Sequence, residues 1–247
     1  RALGCGDGRV ARRHAGAVMG DPVSAAHPAL HLDRRGTEAL GAEHRLLGGG
    51  PVGALTAILL AQRGLNVITC DASHEIYPLP RAVHLDHEVM RILQAAGVAD
   101  VIAPQTRPVL LYDFITASGD VLLRFEVPPG PAPGGWPASN MFHQPTLEHA
   151  LRARLAELPN AALHTGWRCD ALDENPSGID ARFVTDDGTA IVRARYVIGC
   201  DGAASFVRKA SGIGLEDLGF DEPWLVIDAL VSDASRLPDR NLQICDP

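Results

Sequence analysis

The chain has 247 residues, 46% of them hydrophobic and 21% charged, with a formal net charge of −8. That is enough for one large domain or two small ones with packed cores, and it excludes a broad basic footprint for nucleic acid. The longest apolar runs, such as residues 57–61, are too short to span a bilayer.

The first 47 residues mix Gly, Ala, Arg and His with no sustained period of 2 or 3.6. Residues 1–45 are therefore expected to be irregular, and the opening residues do not read as a signal peptide. The stretch AEHRLL at 42–47 would be a poor buried parallel strand, because Glu43, His44 and Arg45 are charged or polar. The change of pattern at Gly48 suggests that 1–47 is not the native N-terminus, being read in a shifted frame or from a false start.

From Gly48 the texture becomes periodic. GGGPVG at 48–53 leads into an apolar helix expected over 54–64, then a buried strand over 65–70, then Asp71. Gly48, Gly50 and Gly53 form G-x-G-x-x-G, in which the glycines allow the turn, the approach of a pyrophosphate and close helix packing. Pro51 and Val52 open the helix, whose N-terminus offers N–H groups and partial positive charge to phosphates. Asp71 lies 21 residues after Gly50, where a carboxylate accepts hydrogen bonds from a ribose diol.

A second helix is expected over 85–97, capped by Asp86, ended by Gly97, with Val89, Ile92, Leu93 and Ala96 on its apolar face. Residues 108–127 read as two strands around the turn 118–120, and 128–137 as a Gly/Pro loop in which Trp136 is an anchor. A helix over 146–157 has Thr146 as cap and Leu147, Leu151 and Leu155 on one face. Residues 180–200 read as a hairpin around 186–188 whose second arm runs into a buried strand. Asp201 and Gly202 then turn the chain into a helical start at 205–210, at the strand end where ligands sit in open α/β sheets. A last strand pair is expected at 224–231 and 241–245, with strands 108–127 and 224–245 giving only apolar lining to a substrate pocket. The order is that of a nucleotide-binding α/β fold with α+β insertions, a Rossmann-like domain interleaved with β-rich segments.

The five cysteines, Cys5, Cys70, Cys169, Cys200 and Cys245, form no C-x-x-C pair and no set with histidine at metal-ligand spacing, so no metal is expected. Their odd, scattered count fits a reducing cytosol and a cytoplasmic protein. Taken by themselves, the glycine turn and Asp71 indicate a nucleotide site and leave open an NAD(P)-dependent Rossmann dehydrogenase or a non-enzymatic nucleotide-binding remnant.

GGGPVG, PRAVHLDHEVMRILQAAGV (80–98), GWPASNMFHQPTLE (135–148), the segment DGAASFVR (201–208) and the closing ICDP together resemble the flavoprotein aromatic hydroxylases. These are FAD-dependent, NAD(P)H-using monooxygenases of the p-hydroxybenzoate hydroxylase fold, and the chain is similar to the branch of 3-(3-hydroxyphenyl)propionate hydroxylases. The resemblance covers about residues 46–247. It implies an FAD-binding domain over 46–107 and 138–215, and part of a substrate domain over 108–137 and 216–247. It implies that Gly48, Gly50, Pro51, Val52 and Gly53 hold the FAD pyrophosphate. Asp71 would hold the adenosine ribose, where the family usually has Glu, and Arg81 and Gln144 would contact the cofactor. Asp201 and Gly202 would serve both FAD and NAD(P)H. The implied reaction hydroxylates a phenolic aromatic acid or related phenol with O2 through a flavin C4a-hydroperoxide, without membrane or nucleic acid; a homodimer is compatible with it. The family's third FAD motif, an apolar strand ending in Gly-Asp, has no counterpart in this sequence, so no catalytic residue is named and the chain is expected to be a fragment of little activity.

Overall fold

The computed structural model describes residues 18–19, 31–32, 38–39, 42–221, 223, 225–233, 235, 237–238 and 240–245. Its elements run β1 (Val18–Met19), β2 (His31–Leu32), β3 (Glu38–Ala39), β4 (Ala42–Leu47), α1 (Pro51–Ala61), β5 (Val67–Asp71), β6 (His84–Asp86), α2 (His87–Ala96), α3 (Ala99–Ile102), β7 (Arg107–Pro108), β8 (Leu111–Thr116), β9 (Val121–Glu126), β10 (Ser139–Met141), α4 (Gln144–Ala156), β11 (Ala161–Thr165), β12 (Arg168–Asn175), β13 (Gly178–Thr185), β14 (Gly188–Gly199), α5 (Phe206–Ala210) and β15 (Asn241–Cys245). Two compact units share the chain: residues 1–53, 64–74 and 160–215 form one, and residues 54–63, 75–159 and 216–247 the other.

The first unit is built on a mixed sheet in the order β11-β5-β4-β14-β13-β12, with β1 also on β14. The neighbours β11, β5, β4 and β14 run parallel, while β12, β13 and β14 form an antiparallel meander. The hairpin expected over 180–200 is present, with Thr185 opposite Gly188.

The stretch AEHRLL does form a strand, contrary to the sequence expectation. As β4 it lies between β5 and β14, paired in parallel with both. Backbone pairing supplies the hydrogen bonds whatever the side chains are, and His44 and Arg45 each find a partner. The His44 ring stacks on Tyr196 at 5.3 Å. Arg45 is fully buried, and its Nη2 donates to the Arg193 carbonyl at 3.2 Å. Burial disfavours the charged guanidinium and brings its pKa from 12.5 to about 10. Leu46 and Leu47 are buried beside it. Nor are residues 1–45 irregular throughout, since Val18 and Met19 pair antiparallel with Ile198 and Val197.

The core of this unit gathers Leu47, Ile68, Cys70, Ile179, Phe183 and Val192 with their neighbours. Trp167 closes its edge, 5.5 Å from the Phe183 ring and 4.5 Å from the His164 ring. At about 25 cal/mol per Å2 of apolar surface, each fully buried Leu, Ile or Phe contributes roughly 1.5–3 kcal/mol before entropy is counted.

In the second unit α2 begins and ends as its sequence dictates. The Asp86 carboxylate accepts from Val89 N–H at 2.8 Å, and Gly97 takes a left-handed φ of 80°. The buried face is Met90, Leu93 and Ala96; Ile92, expected there, is 44% exposed, because the stripe is rotated so that Met90 fills the core. Helix α4 starts earlier than expected, with His143 at the cap and Pro145 in the first turn. Thr146 is therefore inside the helix, its Oγ1 2.9 Å from His143 Nδ1. Leu147, Leu151 and Leu155 are buried as their spacing predicts.

Strands β8 and β9 form the expected hairpin, and β15 pairs in parallel with β8. The strand pair expected at 224–231 and 241–245 is not formed: the described residues of 225–231 carry no strand, and β15 takes its hydrogen bonds from the free edge of β8 instead. A small sheet in the order β6-β10-β7 completes the unit. The Trp136 indole N–H donates to Gln94 Oε1 at 3.1 Å, anchoring the Gly/Pro loop onto α2.

Candidate functional site

Three parallel strands, β5, β4 and β14, deliver their C-terminal ends to one edge of the first unit's sheet. That is where ligands sit in open α/β sheets. Gly48 N–H donates to the Cys70 carbonyl at 2.8 Å, and Cys200 N–H donates to the Leu47 carbonyl at 2.7 Å. The glycine turn, Asp71 and the Cys200–Asp201 turn are thereby tied together, although they lie far apart in the chain.

The glycines have different reasons for being there. Gly48 has a φ of 104°, and a Cβ on it would run into the Cys200 carbonyl. A Cβ on Gly53 would run into the Gly48 carbonyl. A Cβ on Gly50 would meet no atom within 4 Å. Folding therefore requires the first and third glycines, and the second keeps space clear above the turn. Pro51 stands at the first position of α1 and Val52 follows, 66% exposed. A helix start leaves its first N–H groups without helical acceptors and carries partial positive charge.

Asp71 is bound back to this turn. Its Oδ2 accepts from Gly49 N–H at 2.9 Å, and its Oδ1 accepts from Ser73 N–H at 2.8 Å. Gly49, which the G-x-G-x-x-G pattern treats as filler, is the group that fixes this carboxylate. The run of three glycines was the available signal.

Asp201 differs from expectation. Its carboxylate faces the start of α5 rather than open space, accepting from Ser205 Oγ, from Phe206 N–H at 2.6 Å and from Val207 N–H at 3.1 Å. Negative charge at a helix start is favourable, so an adjacent helix outcompetes solvent for it. Gly202, with φ 78° and no atom within 4 Å of a would-be Cβ, is the open part of this turn. Arg208 folds back, donating from Nη1 to the Ala203 carbonyl at 2.8 Å. Burial pushes the Cys200 thiol up to about 11, so it remains neutral near pH 7 and acts as packing.

Arg81 and Gln144 come together in the second unit. Gln144 Oε1 accepts from the backbone N–H groups of Arg81 at 3.1 Å and Ala82 at 2.8 Å, and its amide donates to Glu148 Oε1 at 2.7 Å. The Arg81 guanidinium lies 4.5 Å from the centre of the Tyr77 ring. Gln144 thus pins the loop that carries Arg81.

The same unit encloses a cavity of about 700 Å3. Beside Val83, Val109 and Met141 stand Arg107 and the paired His84 and Ser139, and the stretch 224–245, expected to give only apolar lining, contributes Arg240. Register explains the miss, since β6, β10 and β7 assemble this wall from three distant segments. Among the described residues, no helix is long and apolar enough to cross a membrane.

The family description "FAD binding domain" matches residues 45–243. The chain is 38% identical over 205 residues to a probable NADH-specific resorcinol 4-hydroxylase of Rhodococcus jostii (strain RHA1), covering 82% of this chain and 38% of that protein. It is 33% identical over 201 residues to a 3-(3-hydroxy-phenyl)propionate/3-hydroxycinnamic acid hydroxylase of Mycobacterium sp. (strain JLS), covering 81% of this chain and 34% of that protein. The chain thus spans little more than a third of the length of these relatives. Among solved structures it is similar to the flavin-dependent monooxygenase PieE in complex with FAD and substrate, with a TM-score of 0.63 and 25% identity over 71% of this chain and 32% of that one. The fold is also shared with p-nitrophenol 4-monooxygenase PnpA of Pseudomonas putida DLL-E4, with a TM-score of 0.65 and 24% identity over 69% of this chain and 43% of that one.

Proposed function

Because this chain belongs to the FAD binding domain family, we propose that it is the dinucleotide-holding part of a flavoprotein monooxygenase that hydroxylates a phenolic ring. The observation that carries this reading is the convergence of Gly48–Gly53, Asp71 and the Cys200–Gly202 turn at one sheet edge, with the space above Gly50 left empty. These residues fit an adenine dinucleotide. The glycine turn and the start of α1 would take the pyrophosphate, since N–H groups and the helix dipole favour its charge. Asp71 would take the ribose diol, since a carboxylate is a charge-assisted acceptor for hydroxyls.

FAD, when bound, supplies the two-electron chemistry by which NAD(P)H and O2 hydroxylate the ring. The chain's own share is binding and orientation. Asp201 positions rather than reacts, because its carboxylate is spent on holding α5 against the turn. Asp71 fixes the glycine turn in the shape a pyrophosphate needs, so that binding costs little reorganisation.

Titration of the purified chain with FAD and with ADP, followed calorimetrically, tests this. Saturable binding of both is expected, weakened about tenfold or more in Asp71→Ala, where a charge-assisted partner of the ribose is lost. No binding of either nucleotide to the folded chain would overturn the assignment.

A further inference from the structure

Strand β9 is an unprotected sheet edge. It closes one side of the three-stranded sheet β15-β8-β9, and among the described residues no strand pairs with its outer side. All six of its residues are exposed. Leu123 and Phe125 share one face, 49% and 53% exposed, and Phe125 lies edge-on to Phe114 of β8 with ring centres 6.1 Å apart. Natural edge strands are commonly blunted by Lys or Pro; residues 121–126 contain neither.

The ladder shows which backbone groups are open. Val127 N–H donates inward to the Leu110 carbonyl at 2.8 Å. Antiparallel pairing alternates, so Phe125 and Leu123 also turn their backbone groups toward β8, and Arg124 and Glu126 turn theirs outward. The regular part of the edge is 123–127. On one side a register shift leaves Leu122 with no residue opposite it, and on the other Pro128 has no N–H to offer.

An open edge of this kind accepts a strand of matching length, and the chain's own sequence supplies one. Outward residues must face outward residues. A two-fold axis at Arg124 would set that residue against itself, and one at Glu126 would do the same with two carboxylates. An axis at Phe125 instead sets Arg124 opposite Glu126 of the second copy twice over, Phe125 opposite Phe125, and Leu123 opposite Val127. Unlike charges and apolar pairs stabilise an antiparallel ladder, and like charges destabilise it. Arg124 uses two of its five N–H donors on Asp113.

We propose that β9 is a self-association surface, on which a second copy of this chain pairs antiparallel about an axis at Phe125 and joins two three-stranded sheets into one of six strands. The proposal goes beyond the dinucleotide reading and needs no cofactor. A ladder over 123–127 is a small interface, so the dimer is expected to form and dissociate with concentration.

Sedimentation velocity of the full chain across the micromolar range tests this. A reversible monomer–dimer equilibrium is expected. Glu126→Lys, which sets like charges opposite Arg124, is expected to weaken it about tenfold or more, and Leu123→Lys, which blunts the edge, to do the same. Both positions are exposed, so both variants are expected to melt with the parent chain and to bind FAD and ADP as the parent does. Should Leu123→Lys fail to fold, Glu126→Lys carries the test. Phe125→Cys is expected to give a disulfide-linked dimer under mild oxidation, because directly opposed residues of a non-hydrogen-bonded pair lie within disulfide reach. Ile191→Cys, an exposed control in the first unit, is not. A parent chain that stays monomeric, a dimer that Glu126→Lys leaves intact, assembly that runs past the dimer, or equal crosslinking of the two cysteine variants would each overturn the proposal.

Discussion

At the scale of single residues, Gly48 and Gly50 look interchangeable in the sequence and are not. Gly48 combines a φ of 104° with a carbonyl where its Cβ would be, whereas Gly50 faces open space. Left-handed strain alone costs on the order of 1–3 kcal/mol. Gly48→Ala is therefore expected to lower the melting temperature clearly, and FAD binding with it. Gly50→Ala is expected to leave the melt unchanged and weaken FAD binding about tenfold or more, because the added methyl occupies ligand space. Thermal melts alongside FAD titration would check the pair; a stability loss in Gly50→Ala would mean that this glycine serves the fold. The G-x-G-x-x-G spacing located both residues, but only the Cys200 carbonyl, brought in from a distant strand, separates their roles. Arg45 shows the same limit in reverse. Its charge argued against a strand, yet its aliphatic stem packs in the sheet while the guanidinium reaches the Arg193 carbonyl.

Cross-strand charge pairs hold the sheet elements in register. Asp113 and Arg124 are directly opposed in the β8–β9 ladder and Asp180 and Arg193 in β13–β14, each joined by two bonds between 2.6 and 2.7 Å. Arg124, with Arg240 beside it, holds the Asp113 carboxyl down at about 2, against an ordinary value of 3.8. A carboxylate whose folded pKa is depressed stabilises fully above its unfolded pKa and loses that contribution as pH falls through the folded value. The hairpin and β15 are thus expected to weaken between about pH 4 and pH 2. The difference in melting temperature between the parent chain and Asp113→Asn should be large at pH 7 and shrink across that window. A constant difference from pH 7 to pH 2 would show that the pair contributes no linked stability. The hairpins themselves were legible from alternation and the turns at 118–120 and 186–188, since both depend on neighbouring residues. The partner of β15 was not, because β8 lies more than a hundred residues upstream and pairing in parallel leaves no local signature.

Across the whole molecule, order is unevenly distributed. Between α5 and β15, the described residues of 213–231 form no helix or strand, and Phe220, Leu225 and Leu230 are 86%, 84% and 105% exposed. Such segments open at little free-energy cost. Limited chymotrypsin digestion read by mass spectrometry is expected to cut first after Phe220 and Leu230, with or without FAD. First cuts within β13 or β14 would contradict this distribution of stability. The chain covers little more than a third of the curated relatives it matches, so the activity of a complete monooxygenase is proposed on the strength of its family and its site.

By itself the sequence determined the glycine turn, the Asp86 and Gly97 caps, the leucine stripe of α4 and the two hairpins. Each follows from backbone preferences and periodicities that act within a few residues. Tertiary structure decided that AEHRLL is a central strand, that Asp201 turns toward α5, that Met90 replaces Ile92 in the core, and that Arg107 stands over a cavity. Those outcomes depend on hydrogen bonds and packing between segments far apart in the chain, where a strand with the wrong side chains still pairs if both neighbouring edges are free to receive it.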